Sequence, residues 1–279
     1  MRHTLPSLFA TALLAFPVGA QTLDRILETG EMKLGYRTDA APLSYQNEEG
    51  NPAGYTPLIC INVAQAIANA LQLENLDVSF VPVSTEDRFD KVASGEIDLL
   101  CGAATITLAR REIVDFSDPV YVDGTSILLP NGAQGSLEDL AGKKIGVRGA
   151  TTTEEALNTS LLAAGLTADV VPFESHAEGI SAMEDKEIVA YFADQSILMG
   201  LFRSSPKANE MMISNEILTI EKQGLAMVRG DADFRLLVDT VVSELFNSGK
   251  MREFFAAAMP GAEPGAALEA MYLLSPTAR

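Results

Sequence analysis

Thr105, Thr107 and Arg110, in the stretch ATITLARREIVDFSDP (104–119), are residues whose types and spacing could hold an anion. The apolar run IDLLCGA ahead of them reads as a strand, Thr107 is placed to N-cap a helix beginning LARREIV, and Arg110 falls one turn in. A strand end, a helix start and an arginine together suit a carboxylate, because backbone N–H groups and a hydroxyl supplement a bidentate guanidinium. The same letters also describe a capped helix with Arg110 and Arg111 in water, and the pattern alone leaves both readings standing.

Asp194 closes the run EIVAYFAD, and a carboxylate at the C-terminal end of a strand lies where α/β sheets place ligand groups. It also stands at the N-cap of a helix starting QSILMGLF, and the two roles are compatible. In GVRGATTTEEAL, Thr151 or Thr152 caps a helix, and Glu154 or Glu155 completes a capping box. Arg37 after MKLGY, Arg88 in TEDRFDKV and His176 in ESHAEG read, each by its own pattern, as surface groups.

These residues need a scaffold, and short β-like runs alternating with helical patterns predict an α/β class with open sheets. MKLGYR (32–37), DVSFVPV (77–83), IDLLCGA (97–103) and TSILLP (125–130) read as strands, with helical spacing in 57–71 and 85–95. A second series follows, with strands KKIGVRG (143–149), ADVVPF (168–173) and EIVAYFAD (187–194) separated by helices near TTEEALNTSLLAAG and HAEGISAMEDKE. The Gly-containing NGAQGS (131–136) is a plausible junction between the two series. GLAMVRG (224–230) predicts a further strand, DFRLLVDTVVSELFNSGKMREFFAAAM one long helix or two broken near Gly249, and the Pro- and Gly-containing tail from Pro260 no definite element.

Composition narrows the function. Residues 1–20 have a basic start, an apolar core and small residues at Val18, Gly19 and Ala20, which predicts a secretory signal peptide cleaved near Ala20. The first cysteine is Cys60, so none stands at that site for lipid attachment. The whole chain carries 20 basic and 38 acidic side chains, a net charge of −18, and such a surface repels nucleic acid and anionic lipid. In an exported chain Cys60 and Cys101 are expected to form a disulfide, two buried thiols being the alternative. His176 is the sole histidine after residue 20, so a cysteine and histidine metal framework is not expected. Neither GxGxxG nor GxxxxGK[ST] occurs, which argues against common nucleotide chemistry, and no cofactor is expected.

The order GYTPLICINVAQAI, TEDRFDKVASGEIDLLCGAATITLARREIVDFSDPVY, KKIGVRGATTTEEAL and AYFADQSIL resembles the family 3 extracellular solute-binding proteins, periplasmic amino-acid receptors of ABC importers. The resemblance spans essentially everything after the leader. It implies a two-lobed type II binding-protein fold with two hinge strands, one lobe at 23–122 plus 223–279 and the other at 123–222. It also implies a monomer that presents an amino acid to a membrane permease. The matching positions make Arg110 and Thr105 the grip on the ligand α-carboxylate, with Thr151 and Thr152 from the second lobe, and Asp194 the acceptor of the α-ammonium.

Arg37, Arg88 and His176, with Thr85 and Gly102, match the glutamate/aspartate-binding branch, in which arginines and a histidine surround the ligand, and Ala103 stands at a further ligand position of that branch. Three arginines against Asp194 suit two carboxylates and one ammonium, whereas glutamine would leave one guanidinium facing a neutral amide. The sequence departs from the pattern at Ala150, where a glycine is usual, at Leu58, where an acid is common, and at Ala103, where the branch often has a hydroxyl. The last departure keeps a broader polar amino-acid receptor open, and a ligand sensor presenting its closed form to a membrane receptor would share every one of these residues. Catalysis of the dehydratase kind would need a general acid that no glutamate obviously provides, and a Ser-His-Asp site would have only His176 and no GxSxG.

Overall fold

Continuous apolar runs such as LLC and TSILLP need cover on both faces, since successive side chains of a strand point in opposite directions. The computed structural model, which describes residues 22–214 and 216–277, supplies that cover twice, in two five-stranded mixed sheets. The leader at 1–20 lies outside the described residues. In the first sheet the strand order is Asp77–Val83, Glu31–Arg37, Leu99–Cys101, Ala226–Val228, Val114–Phe116, with Ala226–Val228 antiparallel to its neighbours. In the second the order is Asp169–Phe173, Lys144–Arg148, Tyr191–Asp194, Thr125–Pro130, Met211–Ile213, parallel across the first three strands.

Each strand feeds two cores by its period of two. Leu99 and Cys101 join the larger core beneath the helices Tyr55–Ala70 and Ala232–Asn247, while Leu100 faces the smaller core with Val92, Val114 and Phe116. In the second lobe Ile127 and Leu129 pack with Leu157 and Leu161, while Leu128 turns to Met183, Tyr191 and Ile197. The chain crosses between the sheets in Tyr121–Asp123 and Glu221–Gln223, which pair antiparallel in a two-stranded ribbon. No described helix is long and apolar enough to cross a membrane.

Several expectations change in detail. NGAQGS is not a junction between lobes: the strands on either side of it, Thr125–Pro130 and Lys144–Arg148, belong to one sheet. The helix expected over LARREIV stops after one turn, Leu108–Arg111, because Val114–Phe116 is drawn into the first sheet. The C-terminal helical segment breaks at Gly249, whose φ of 80° separates Ala232–Asn247 from Lys250–Ala258, and the tail folds into Ala266–Leu274.

Cys60 on the helix Tyr55–Ala70 is disulfide-bonded to Cys101 at the end of its strand, with Cα atoms 6.1 Å apart and a sequence separation of 41. Closing a loop of that length removes chain entropy from the unfolded state worth about 4 kcal/mol. Replacing both cysteines with alanine is expected to lower the unfolding free energy by about 2–4 kcal/mol in denaturant titration. An unchanged midpoint would show that the bridge adds nothing to the stability of this lobe.

Candidate functional site

The two sheets point the C-terminal ends of their parallel strands at each other, and the residues at those ends meet. Arg37 ends Glu31–Arg37, Ala103 and Thr105 follow Leu99–Cys101, Arg148 ends Lys144–Arg148, and Asp194 ends Tyr191–Asp194. Between them lies a cavity with about 380 Å³ of empty space, part of it open to solvent. Nine of the residues singled out from sequence line it: Arg37, Arg88, Ala103, Thr105, Arg110, Thr151, Thr152, His176 and Asp194.

Thr85 and Gly102 stand behind the wall instead. The Thr85 hydroxyl donates across the cleft to the Gly149 carbonyl at 3.1 Å, and a Cβ at Gly102 would lie 3.1 Å from Arg37 Cγ, so the glycine leaves room for that side chain. Arg111 is exposed. Thr107 caps its short helix, accepting from the Arg110 amide at 3.1 Å.

One end of the cavity is cationic. The Arg37 Nε donates to Asp39 at 2.9 Å, and the Arg148 Nε lies 3.3 Å from the other Asp39 oxygen. Burial alone would raise the Asp39 pKa, but Arg37, His176 and Arg148 hold it down at about 2. Arg88 is different. It is 2% exposed, donates to the carbonyls of Thr85 and, at 3.4 Å, Ala150, lies over the Phe89 ring, and its Nε has no acceptor. Burial, with Arg37, Arg110 and Arg148 nearby, pushes its pKa well down against the pull of Glu86, yet a guanidinium keeps its proton. Arg110 also lies over the Phe89 ring, 5.0 Å from its centroid, and donates to the Thr105 carbonyl at 2.8 Å.

His176 opens the helix His176–Glu184 with Nδ1 3.0 Å from the Tyr191 hydroxyl. Burial pushes its pKa down to about 3, so the ring is neutral at physiological pH and adds no charge to the arginines.

The other end is acidic. Asp194 accepts from Thr153 at 3.3 Å and from the Gln223 amide at 2.8 Å, while Glu221 accepts from Thr105 at 2.6 Å and Thr152 at 2.8 Å. Burial, then Asp123 and Glu221, raise the Asp194 pKa well above the carboxylate range, and burial lifts Asp123 to about 6. Asp194 occupies the N-cap position of Gln195–Ser204 but makes no capping bond. Asp123 from the crossing strand does that work, accepting from the Ser196 amide at 3.3 Å and from its hydroxyl. Thr151 is the cap in the TTT run, bonding the Glu154 amide at 3.2 Å, and Glu154 reaches back to the amide of Ala150 at 2.9 Å. Ala150 has a φ of 54°, which accounts for a glycine being usual there.

Arg148, Thr153, Ala193 and Ile197 also line the cavity and were not expected to. For Arg148 a signal was present: it closes KKIGVRG as Arg37 closes MKLGYR, a basic residue at a strand's C-terminal end. Glu221 and Gln223 carried none, because a three-residue crossing strand has no readable periodicity.

Residues 32–258 match the bacterial extracellular solute-binding proteins, family 3. The chain belongs to this family. It is 30% identical over 260 residues to an L-glutamate/L-aspartate-binding protein of Pseudomonas aeruginosa, covering 90% of this chain and 86% of that one. A glutamate/aspartate import solute-binding protein of Escherichia coli K12 is 25% identical, over 86% of this chain and 80% of the relative. Among solved structures, an ancestral amino-acid-binding protein, a precursor of cyclohexadienyl dehydratase, superposes with a TM-score of 0.73 at 25% identity, over 85% and 99% of the two chains. A cysteine-binding protein from Campylobacter jejuni shares the fold, with a TM-score of 0.74 at 22% identity over 86% and 93%.

Arg88 is a buried cation paired with no carboxylate among the described residues, a cost to the folded protein that only an anionic partner relieves. Arg88→Met is therefore expected to stabilise the ligand-free protein by about 0.5–2 kcal/mol in thermal denaturation. A lowered midpoint would mean that the bonds to the Thr85 and Ala150 carbonyls outweigh the unpaired charge.

Proposed function

We propose that this protein is a periplasmic receptor for glutamate and aspartate that hands its ligand to the permease of an ABC importer. The carrying observation is the charge balance at the cationic end. Arg37 and Arg148 are paired with Asp39 and Glu86, whereas Arg88 has no carboxylate partner among the described residues. A second ligand carboxylate supplies the missing charge, whereas an amide does not. The names of the relatives in Pseudomonas and Escherichia support the same ligand class.

In this reading Arg110 and Thr105 take the α-carboxylate, with Thr151 and Thr152 from the facing lobe. Asp194 takes the α-ammonium, and Arg37, Arg88 and neutral His176 take the side-chain carboxylate. The lobes divide at the paired crossing strands, one comprising 23–122 plus 223–279 and the other 123–222. Ligand contacts drawn from both sides favour the closed arrangement through differential affinity. We infer export by the leader at 1–20, a monomer, and capture without turnover. Incubated glutamate should be recovered unchanged by mass spectrometry, and a dehydrated product would assign the proton on Asp194 a catalytic role.

Calorimetric titration is expected to show tight binding of glutamate or aspartate, with glutamine and arginine much weaker. A preference for a neutral or basic amino acid would overturn the acidic-ligand reading. Arg110→Ala should weaken binding of every amino acid by about a hundredfold or more, and retained affinity would remove it from the site.

The acidic end predicts a pH dependence. A raised Asp194 pKa means that the protein alone holds a proton there, and a bound ammonium favours the ionised form, so binding releases protons. Affinity should rise with pH above the ordinary carboxylate range, as Asp194 gives up its proton. Calorimetric enthalpies measured above the ordinary carboxylate range should then differ between buffers of different ionisation enthalpy, and buffer-independent values would contradict it.

A further inference from the structure

The family's ligand contacts do not account for Arg148. Its side chain is 4% exposed, and two of its partners are carbonyls of its own lobe, Phe173 at 3.0 Å and Gly149 at 3.3 Å. The other two are carboxylates of the facing lobe: Asp39 Oδ2 lies 3.3 Å from Nε and Glu86 Oε1 lies 3.0 Å from Nη1. Asp39 meanwhile receives Arg37 on its other oxygen, so a continuous ion chain runs Arg37, Asp39, Arg148, Glu86 and crosses the cleft at Arg148. Among the ion pairs of the described residues, these two join a residue of 123–222 to one of the flanking segments, and both use Arg148.

Geometry assigns the chain a direction. Arg148 is anchored to its own lobe by two carbonyls, so it moves with that lobe, whereas Asp39 and Glu86 move with the other. Separating the lobes by a few ångströms breaks both ion pairs and leaves Asp39 with Arg37 alone. Asp39 is 19% exposed and Glu86 53%, so the first pair is shielded and the second is open to salt.

We propose that Arg148 is a cross-cleft latch, a positioning residue that favours closure of the two lobes whether or not a ligand is present and holds Asp39 so that Arg37 is oriented toward the cavity. The inference rests on the receptor reading for its effect on affinity, but its effect on shape does not need a ligand. A latch of this kind changes the closed population and therefore scales the affinity for every ligand by one common factor. A residue that instead touches the ligand side chain changes the ratio between acidic and neutral ligands.

The test compares wild type, Arg148→Met, Glu86→Gln and the double variant. Small-angle scattering of the ligand-free proteins at low salt should show a larger radius of gyration for Arg148→Met than for wild type, and high salt should bring wild type part of the way toward it. Binding of glutamate, aspartate and glutamine should weaken by a common factor of about tenfold in Arg148→Met. Glu86→Gln, at a position 53% exposed, should show a smaller effect that is not additive with Arg148→Met. Equal scattering curves overturn the latch even if binding falls, and a loss confined to the acidic ligands assigns Arg148 to ligand contact instead. A wild type that binds no amino acid would refute the receptor reading while leaving the scattering comparison able to decide the latch.

Discussion

Ionised groups withdrawn from water must be neutralised by partners at close range, and this constraint governs how the cleft is built. Four arginines and several carboxylates meet where the two sheets face each other, and part of their bonding crosses the cleft. Arg148 reaches Asp39 and Glu86, Thr105 reaches Glu221, and Gln223 reaches Asp194. The lobes are thus held by the same polar groups that line the cavity, and binding and closure become one energetic problem. The unmatched members are informative: Arg88 lacks a carboxylate partner among the described residues, and the Asp194 carboxyl is crowded by Asp123 and Glu221. A ligand with two carboxylates and one ammonium complements both.

The crossing strands take part in that problem. Glu221 and Asp123 face each other in the paired ribbon, and each reaches a different part of the site. Glu221 gathers hydroxyls from Thr105 and Thr152 on opposite sides, and Asp123 caps the helix that begins beside Asp194. A change of angle between the lobes therefore strains hydrogen bonds around the acidic end of the cavity, while the Arg148 chain is remade or broken at the other end. The net charge of −18 provides no attraction for an acidic ligand at a distance, so discrimination falls to these local groups.

Local patterns in the chain determined much of this. Two series of apolar runs with intervening helical spacing specified two α/β units, because a strand buried on both faces must read as a continuous apolar run. Thr107, Thr151 and Gly249 announced their local geometry, since capping and left-handed turns depend on one residue's own chemistry. The order of the motifs named the family and, with it, nine of the residues around the cavity.

Tertiary structure alone decided the rest, because those features depend on residues far apart in the chain. The crossing strands are too short to carry a periodic signal and exist only as partners of each other. The charge state of His176 follows from its burial against Tyr191, and the elevation of Asp194 from Asp123 and Glu221, which lie 71 and 27 residues away in sequence. Arg148 shows the division most plainly. Its letter and its place at a strand end were visible in KKIGVRG, but that it would span the cleft to Asp39 and Glu86 was set by the distance between two lobes, which no local pattern encodes.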